Sequence, residues 1–268
     1  VDSGRLGAYA HVLRAQVRSQ TQYRLSFAMD VVGSIGYGVL DIATVLVLFR
    51  VSRTMAGFTF AEVFLMTAIA SCSFALADIL VGNVERLRIY IRTGLLDTVL
   101  VRPLGVLPQL AILDVAPRRA GRVVFAIGVV TAAAVNAGLV CTPARFALLI
   151  VAPIAGAVIF SAVYVGTASV AFWWTESGEM GNALTYGGHD FASYPMSIYG
   201  TVFRRVLAYG LGFAFVAYYP TLALIDRADP LGAPAALGYA SPAVAALAAA
   251  AAWLVWRTGV RRYASTGS

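Results

Sequence analysis

Six times along this chain the side chains stay apolar for long enough, or nearly long enough, to cross a lipid bilayer. A hydrocarbon core about 30 Å thick takes about 20 mainly apolar residues of helix. The stretches are residues 27–49, 60–81, 123–140, 146–173, 206–225 and 242–256. The third is short and rich in Ala and Val. The fourth contains Pro153, where a kink is expected. Composition agrees: 60% of the 268 residues are hydrophobic and 12% are charged, where a soluble domain carries about 25% charge. A soluble globular domain and a disordered chain are both excluded. The pattern predicts an all-α integral membrane protein forming a single transmembrane domain over residues 1–268.

Arginine sets the expected orientation. The 20 basic residues are all Arg, with no Lys. A net charge of +7 fits nucleic acid in a soluble protein, but in a chain this apolar it fits Arg held on the cytoplasmic side of a bilayer. With the N-terminus inside, 16 Arg fall in cytoplasmic segments, among them Arg204 and Arg205. Four fall outside: Arg50, Arg53, Arg145 and Arg227. Six transmembrane helices with N- and C-termini cytoplasmic follow; five or seven spans would strand the C-terminal Arg cluster outside. The absence of Lys also excludes a Walker A nucleotide loop and a Schiff-base lysine. Cys72, Cys141, His11 and His189 show no metal-ligand spacing, so no metal site or disulfide is expected. The first apolar run is read as a retained span, without a cleavage site after it.

The segments between the spans differ in character. In residues 1–26, Leu6, Ala10, Leu13 and Val17 recur at helical spacing, with Arg14 and Arg18 elsewhere on the wheel. This predicts an amphipathic helix in the membrane interface. Residues 82–122 form the longest polar segment. A second, Thr175 to Gly200, holds Glu176, Glu179, His189 and Asp190. Asp226 to Tyr239 reads as a short re-entrant or surface element.

Asp30 and Asp41 lie in the first span. Their separation of eleven residues is close to three helical turns, so they share a face with Ser34, Gly38 and Thr44. An ionised Asp at mid-membrane costs about 2.5–3.5 kcal/mol on insertion scales. It therefore turns to protein or water, lining a translocation path or a subunit interface, or it is there for packing alone. Asp78 and Glu85 are expected to pair with Arg86, Arg88 and Arg92 at the cytoplasmic boundary. Glu62 is a helix-start carboxylate. The run Arg92 to Leu104 is opened by Gly94 and closed by Pro103. Leu95, Leu96, Val99 and Leu100 would make one apolar face, which either enters a groove on a soluble partner or lies flat on the membrane.

These features together resemble the membrane subunits of ABC transporters in the type-2 exporter superfamily. Two runs carry the resemblance: Arg92-Thr93-Gly94-Leu95-Leu96-Asp97 continuing to Val101-Arg102-Pro103-Leu104, and Asn182 to Gly188 followed by Ser193-Tyr194-Pro195 and Ile198-Tyr199-Gly200. The C-terminal Gly259-Val260-Arg261-Arg262-Tyr263 also fits, and the likeness covers essentially the whole chain. The resemblance is to a bacterial subfamily with two different six-span permeases and one separate ATPase. It implies a non-catalytic, multi-pass subunit of the bacterial inner membrane. Two ATPase copies would bind ATP and Mg; this chain would hold no cofactor and no nucleic acid. The resemblance makes the segment 94–103 a cytoplasmic coupling helix, with Arg92, Gly94, Leu95, Leu96, Asp97, Arg102 and Pro103 in contact with the ATPase. Glu176, Glu179, His189 and Asp190 would offer a second cytoplasmic contact. The competing reading is a secondary transporter or channel using Asp30 and Asp41 as ion or proton sites. A membrane anchor or sensor is the weakest reading, since no soluble sensory domain is present.

Overall fold

The computed structural model describes residues 24–113 and 118–263, and every described regular element is helical. The expected interfacial helix over 1–26 lies almost wholly outside the described residues. The helices are α1 (Arg24–Val51), α2 (Phe60–Val81), α3 (Leu87–Arg92), α4 (Leu95–Leu100), α5 (Val106–Ile112), α6 (Arg118–Asn136), α7 (Pro143–Ser169), α8 (Gly178–Ala192), α9 (Thr201–Phe203), α10 (Tyr218–Leu224) and α11 (Ser241–Arg262). A 3₁₀ turn, Gly82–Arg86, joins α2 to α3, giving a helical path of 33 residues. At 1.5 Å per residue this is about 50 Å, longer than the hydrocarbon core, so one end projects beyond it.

Among the described residues, Phe60–Arg92, Arg119–Asn136, Pro143–Phe172 and Ser241–Arg262 are long and apolar enough to cross a membrane. The helix α1 has 28 residues. The long helices stand in a row, α11 on α7, α7 on α2, α2 on α6 and α6 on α1. Central α2 is therefore the most deeply buried. In lipid, such packing depends on close van der Waals approach rather than hydrophobic transfer. At Gly156 of α7 a Cβ would fall 2.8 Å from Ser73 Cβ of α2. Helix α7 passes through Pro153 unbroken, so the expected kink does not end it. Outward faces carry Val39, Leu40 and Val47 on α1, Ile150 and Ile154 on α7, and Leu247 and Leu254 on α11, all exposed.

Interloop contacts sort the connections into two ends. At one, Arg227 pairs with Glu62 (2.6 Å), donates to the Gly57 carbonyl (2.9 Å) and stacks over Phe58. Glu62 also accepts from the Thr59 amide at the start of α2, as a helix-start carboxylate should. Arg145 lies 3.9 Å from Asp226 at this end. At the other end Arg92 pairs with Glu176 (2.8 Å), and the Arg88 guanidinium occupies the space a side chain on Gly178 would need.

Two segments depart from a pattern of straight rods and plain loops. The polar segment Thr175 to Gly200 is largely helical. Helix α8 climbs from the Arg92–Glu176 end into the bundle, until His189 meets Ser71 and the Ser193 carbonyl accepts from Thr67. Its composition hides this: Glu179, Asn182, Gly187, Gly188 and Asp190 lower its hydropathy, but polar groups are tolerated at depth where they face a cavity. Conversely, the apolar run 206–225 is not one rod. Thr201–Gly210 and Phe213–Leu224 meet at a 66° bend. Gly212 has φ +79, a conformation other residues rarely adopt, and Arg204–Gly210 is wound as a π-helix. The irregular backbone is enclosed by protein: residues Phe213 to Leu222 are buried, and Ser241 donates to the Phe215 carbonyl.

Candidate functional site: a polar cleft and a helical platform

A cleft of about 550 Å³ opens between α1, α2, α6 and α8. Helix α2 gives it Phe64, Thr67, Ser71, Phe74 and Asp78. Their spacings of three and four put them on one face, over fourteen residues or about 21 Å. The cleft has two poles. At one, Ser71 Oγ donates to Asp41 Oδ2 (3.1 Å) and lies 3.3 Å from His189 Nε2. The imidazole sits between two carboxylates, its Nε2 3.8 Å from Asp41 and its Nδ1 3.5 Å from Asp190. Its ring packs on Phe74, centroids 4.8 Å apart. At the other pole Asp78 Oδ2 faces Arg119 Nε (3.4 Å) and Arg122 Nη1 (3.5 Å). Arg119 also donates to the Asp78 carbonyl (2.9 Å), which accepts the Gly82 amide as well.

Beyond the Arg92–Glu176 end lies a platform. Gly94 has φ +69 and turns the chain from α3 into α4. Leu96 and Val99 are buried in a cluster with Leu87, Ile91, Leu110 and Trp256. Leu95, Leu100, Val101, Arg102 and Pro103 face outward and are exposed. The buried Gln109 side chain donates to the carbonyls of Val99 (3.3 Å) and Leu104 (3.0 Å), fixing the end of α4. Asn83, also buried, donates to the Leu110 carbonyl (2.7 Å) and so ties α5 to the root of α2. Asp97 stands beside Tyr263, just past α11; burial and then this carboxylate push the phenol above its ordinary value.

A family model described as "ABC-2 family transporter protein" matches residues 35–267. The chain belongs to the ABC-2 transporter family. It is thus a membrane component of an ABC transporter, a system whose ATP-hydrolysing chain is a partner. No curated protein and no solved structure matches it.

Within this ABC-2 permease the structure regroups the residues singled out from sequence. Gly38 and Asp41 line the cleft. Thr44 is exposed, its hydroxyl turned back on the Leu40 carbonyl (2.8 Å). The side chains of Asp30 and Ser34 lie outside the described residues. The acidic group of the second polar segment divides: Glu176 stays with Arg92, and Glu179 is exposed near it, whereas His189 and Asp190 join Asp41. The single apolar face expected for α4 also divides, with Leu96 and Val99 inward and Leu95 and Leu100 outward. Asp78 pairs with Arg119 and Arg122 from α6 rather than with the nearer Arg86, Arg88 or Arg92. Sequence reasoning missed Ser71, Phe74, Arg119 and Arg122 as cleft residues. The signal was there in α2, where Thr67, Ser71 and Asp78 are polar at spacings of four and seven on one face.

Proposed function

We propose that this ABC-2 permease is one half of an ATP-driven exporter. It forms the substrate path with a second, different permease, and two ATPase copies, which bind ATP and Mg, drive it through α4. Six membrane passages, both termini cytoplasmic and the inner membrane of a bacterium complete the reading. The Arg asymmetry supports the orientation, and the two-ended sorting of loop contacts supports an even alternation of passages.

One observation carries the coupling role. Helix α4 offers Leu95, Leu100, Val101, Arg102 and Pro103 on the outside while Leu96, Val99 and the Gln109 clamp brace it from behind. A braced helix transmits force instead of yielding to it. Through Gly94 it adjoins α3, which continues the path of α2, and α2 lines the cleft with Ser71 and Asp78. Closure of the ATPase pair against α4 would move one lever whose far end shapes the cleft.

Substituting Asp97→Ala together with Arg102→Ala is expected to lower coupled ATPase activity roughly fivefold or more, the usual scale of intersite coupling, with membrane insertion intact. Normal coupled activity in the double variant would remove α4 from this role. Purification with the chains encoded beside it, and native mass measurement, counts the permeases and ATPases. The Asp41–Ser71–His189 contacts favour one rival, a proton-coupled transporter; isolation without an ATPase, with transport driven by a gradient alone, would establish it.

A further inference from the structure

The cleft carries an imbalance that the lever does not explain. Arg119 and Arg122 both bond to Asp78, and Glu85 adds a further carboxylate in the field of Asp78 and Arg119. The cations of that pole are thus matched. At the other pole, two carboxylates share one titratable ring. Among the described residues the His189 imidazole is the only basic group within ion-pair distance of Asp41 or Asp190. Neither contact, at 3.8 and 3.5 Å, is as short as a charge-assisted hydrogen bond. Asp41 lies in the helix read as the first span, where a carboxylate lacking a permanent counter-charge is costly and looks to an outside partner. The surrounding wall is aromatic: Phe64, Phe74, Phe125 and Tyr186 line the same space. Aromatic faces attract cations and shed water from an apolar body. A volume of about 550 Å³ lies within the usual range of small-molecule pockets, roughly 300–1,000 Å³.

We infer that this cleft binds a lipophilic organic monocation, its charge beside Asp41 and the edge of the His189–Asp190 pair and its apolar groups against Phe64, Phe74 and Phe125. The inference names the substrate class of the path proposed above and rests on that reading only for the claim that the ligand is transported; binding itself does not require the ATPase.

The test uses the purified full chain in lipid nanodiscs, without partners. Tetraphenylphosphonium and tetraphenylborate present nearly the same apolar shape with opposite charge. Radiolabelled tetraphenylphosphonium is expected to bind saturably and tetraphenylborate to compete poorly. Asp41→Asn is expected to weaken tetraphenylphosphonium about tenfold, the scale of one lost charge–charge attraction in a partly wet cleft. His189→Arg, which places a fixed cation between the carboxylates, is expected to do the same. Arg257→Gln, on the exposed face of α11, should leave affinity unchanged. Should Asp41→Asn fail to yield a monodisperse protein, Asp190→Asn, whose side chain is exposed, carries the comparison. Equal binding of the two probes, or tetraphenylphosphonium affinity within twofold of the parent in Asp41→Asn and His189→Arg, would overturn the inference. Binding without assembly of an ATPase complex would sink the exporter reading alone, and assembly without binding would sink the cation site alone.

Discussion

Asp78→Leu is expected to cost the folded protein about 3–5 kcal/mol, the penalty for removing one partner from a buried ion cluster. The carboxylate is shared by Arg119 and Arg122, whose side chains are 18% and 22% exposed, and is itself 14% exposed. Both guanidiniums come from α6, so Asp78 fixes the register of α6 on α2 at this pole of the cleft. Leu keeps the apolar volume but leaves two cations facing one another across a site built for an anion between them. The thermal midpoint in detergent should fall by roughly 10 °C. Asp78→Glu should fall less, since the charge survives at a longer reach. A double substitution, Asp78→Leu with Arg119→Met, should recover much of the loss, because removing charge of both signs is far cheaper than removing one. A midpoint for Asp78→Leu indistinguishable from the parent would mean that water, not α6, neutralises this carboxylate.

How much of this was legible before the structure depends on whether a residue's role is set locally. The run 60–81 is a helix with those bounds, and the run 146–173 lies largely in the helix Pro143–Ser169, because long apolar stretches have no other stable state in lipid. Gly94 and Pro103 marked α4 by punctuation, and both bound the platform. Asp41 stood out because an isolated carboxylate in a span is conspicuous. Its partners did not: Ser71 lies 30 residues away and His189 sits 118 residues beyond Ser71, and no local pattern encodes such a meeting. Helix α8 is invisible to hydropathy, which weighs every face of a helix as if it met lipid. A helix whose polar residues meet a cleft escapes that rule. The run 206–225 erred in the opposite direction, since its apolar side chains are buried in protein around a bend, and the Gly210-Leu211-Gly212 sequence was the local warning. For α4 the apolar arc of Leu95, Leu96, Val99 and Leu100 was visible, but an arc that wide serves two partners. Only the position of Trp256 and Leu110 decides which half faces inward.

Gly94→Val is expected to uncouple the transporter while leaving the chain inserted and the cleft intact. Gly94 has φ +69, a region where an L side chain costs about 1–2 kcal/mol and a β-branched one more. The helix it starts has six residues, so too few internal hydrogen bonds form to absorb that strain. Relief would come by rotating the Gly94 backbone out of the left-handed region, which swings α4 off Leu87 and Ile91 and pulls Val99 from the Gln109 clamp. A penalty of about 1–2 kcal/mol lowers the ratio of braced to released platform roughly 5- to 30-fold. ATPase activity coupled to transport should fall on that scale. The substitutions should rank by tolerance of the left-handed region: Gly94→Asn mildest, Gly94→Ala intermediate, Gly94→Val most severe. A merely bulky intrusion would rank Asn and Val, which are close in size, together. Coupled activity measured across the three variants therefore separates backbone geometry from crowding, and equal loss for Asn and Val would show that the left-handed turn is not what holds the platform to the lever.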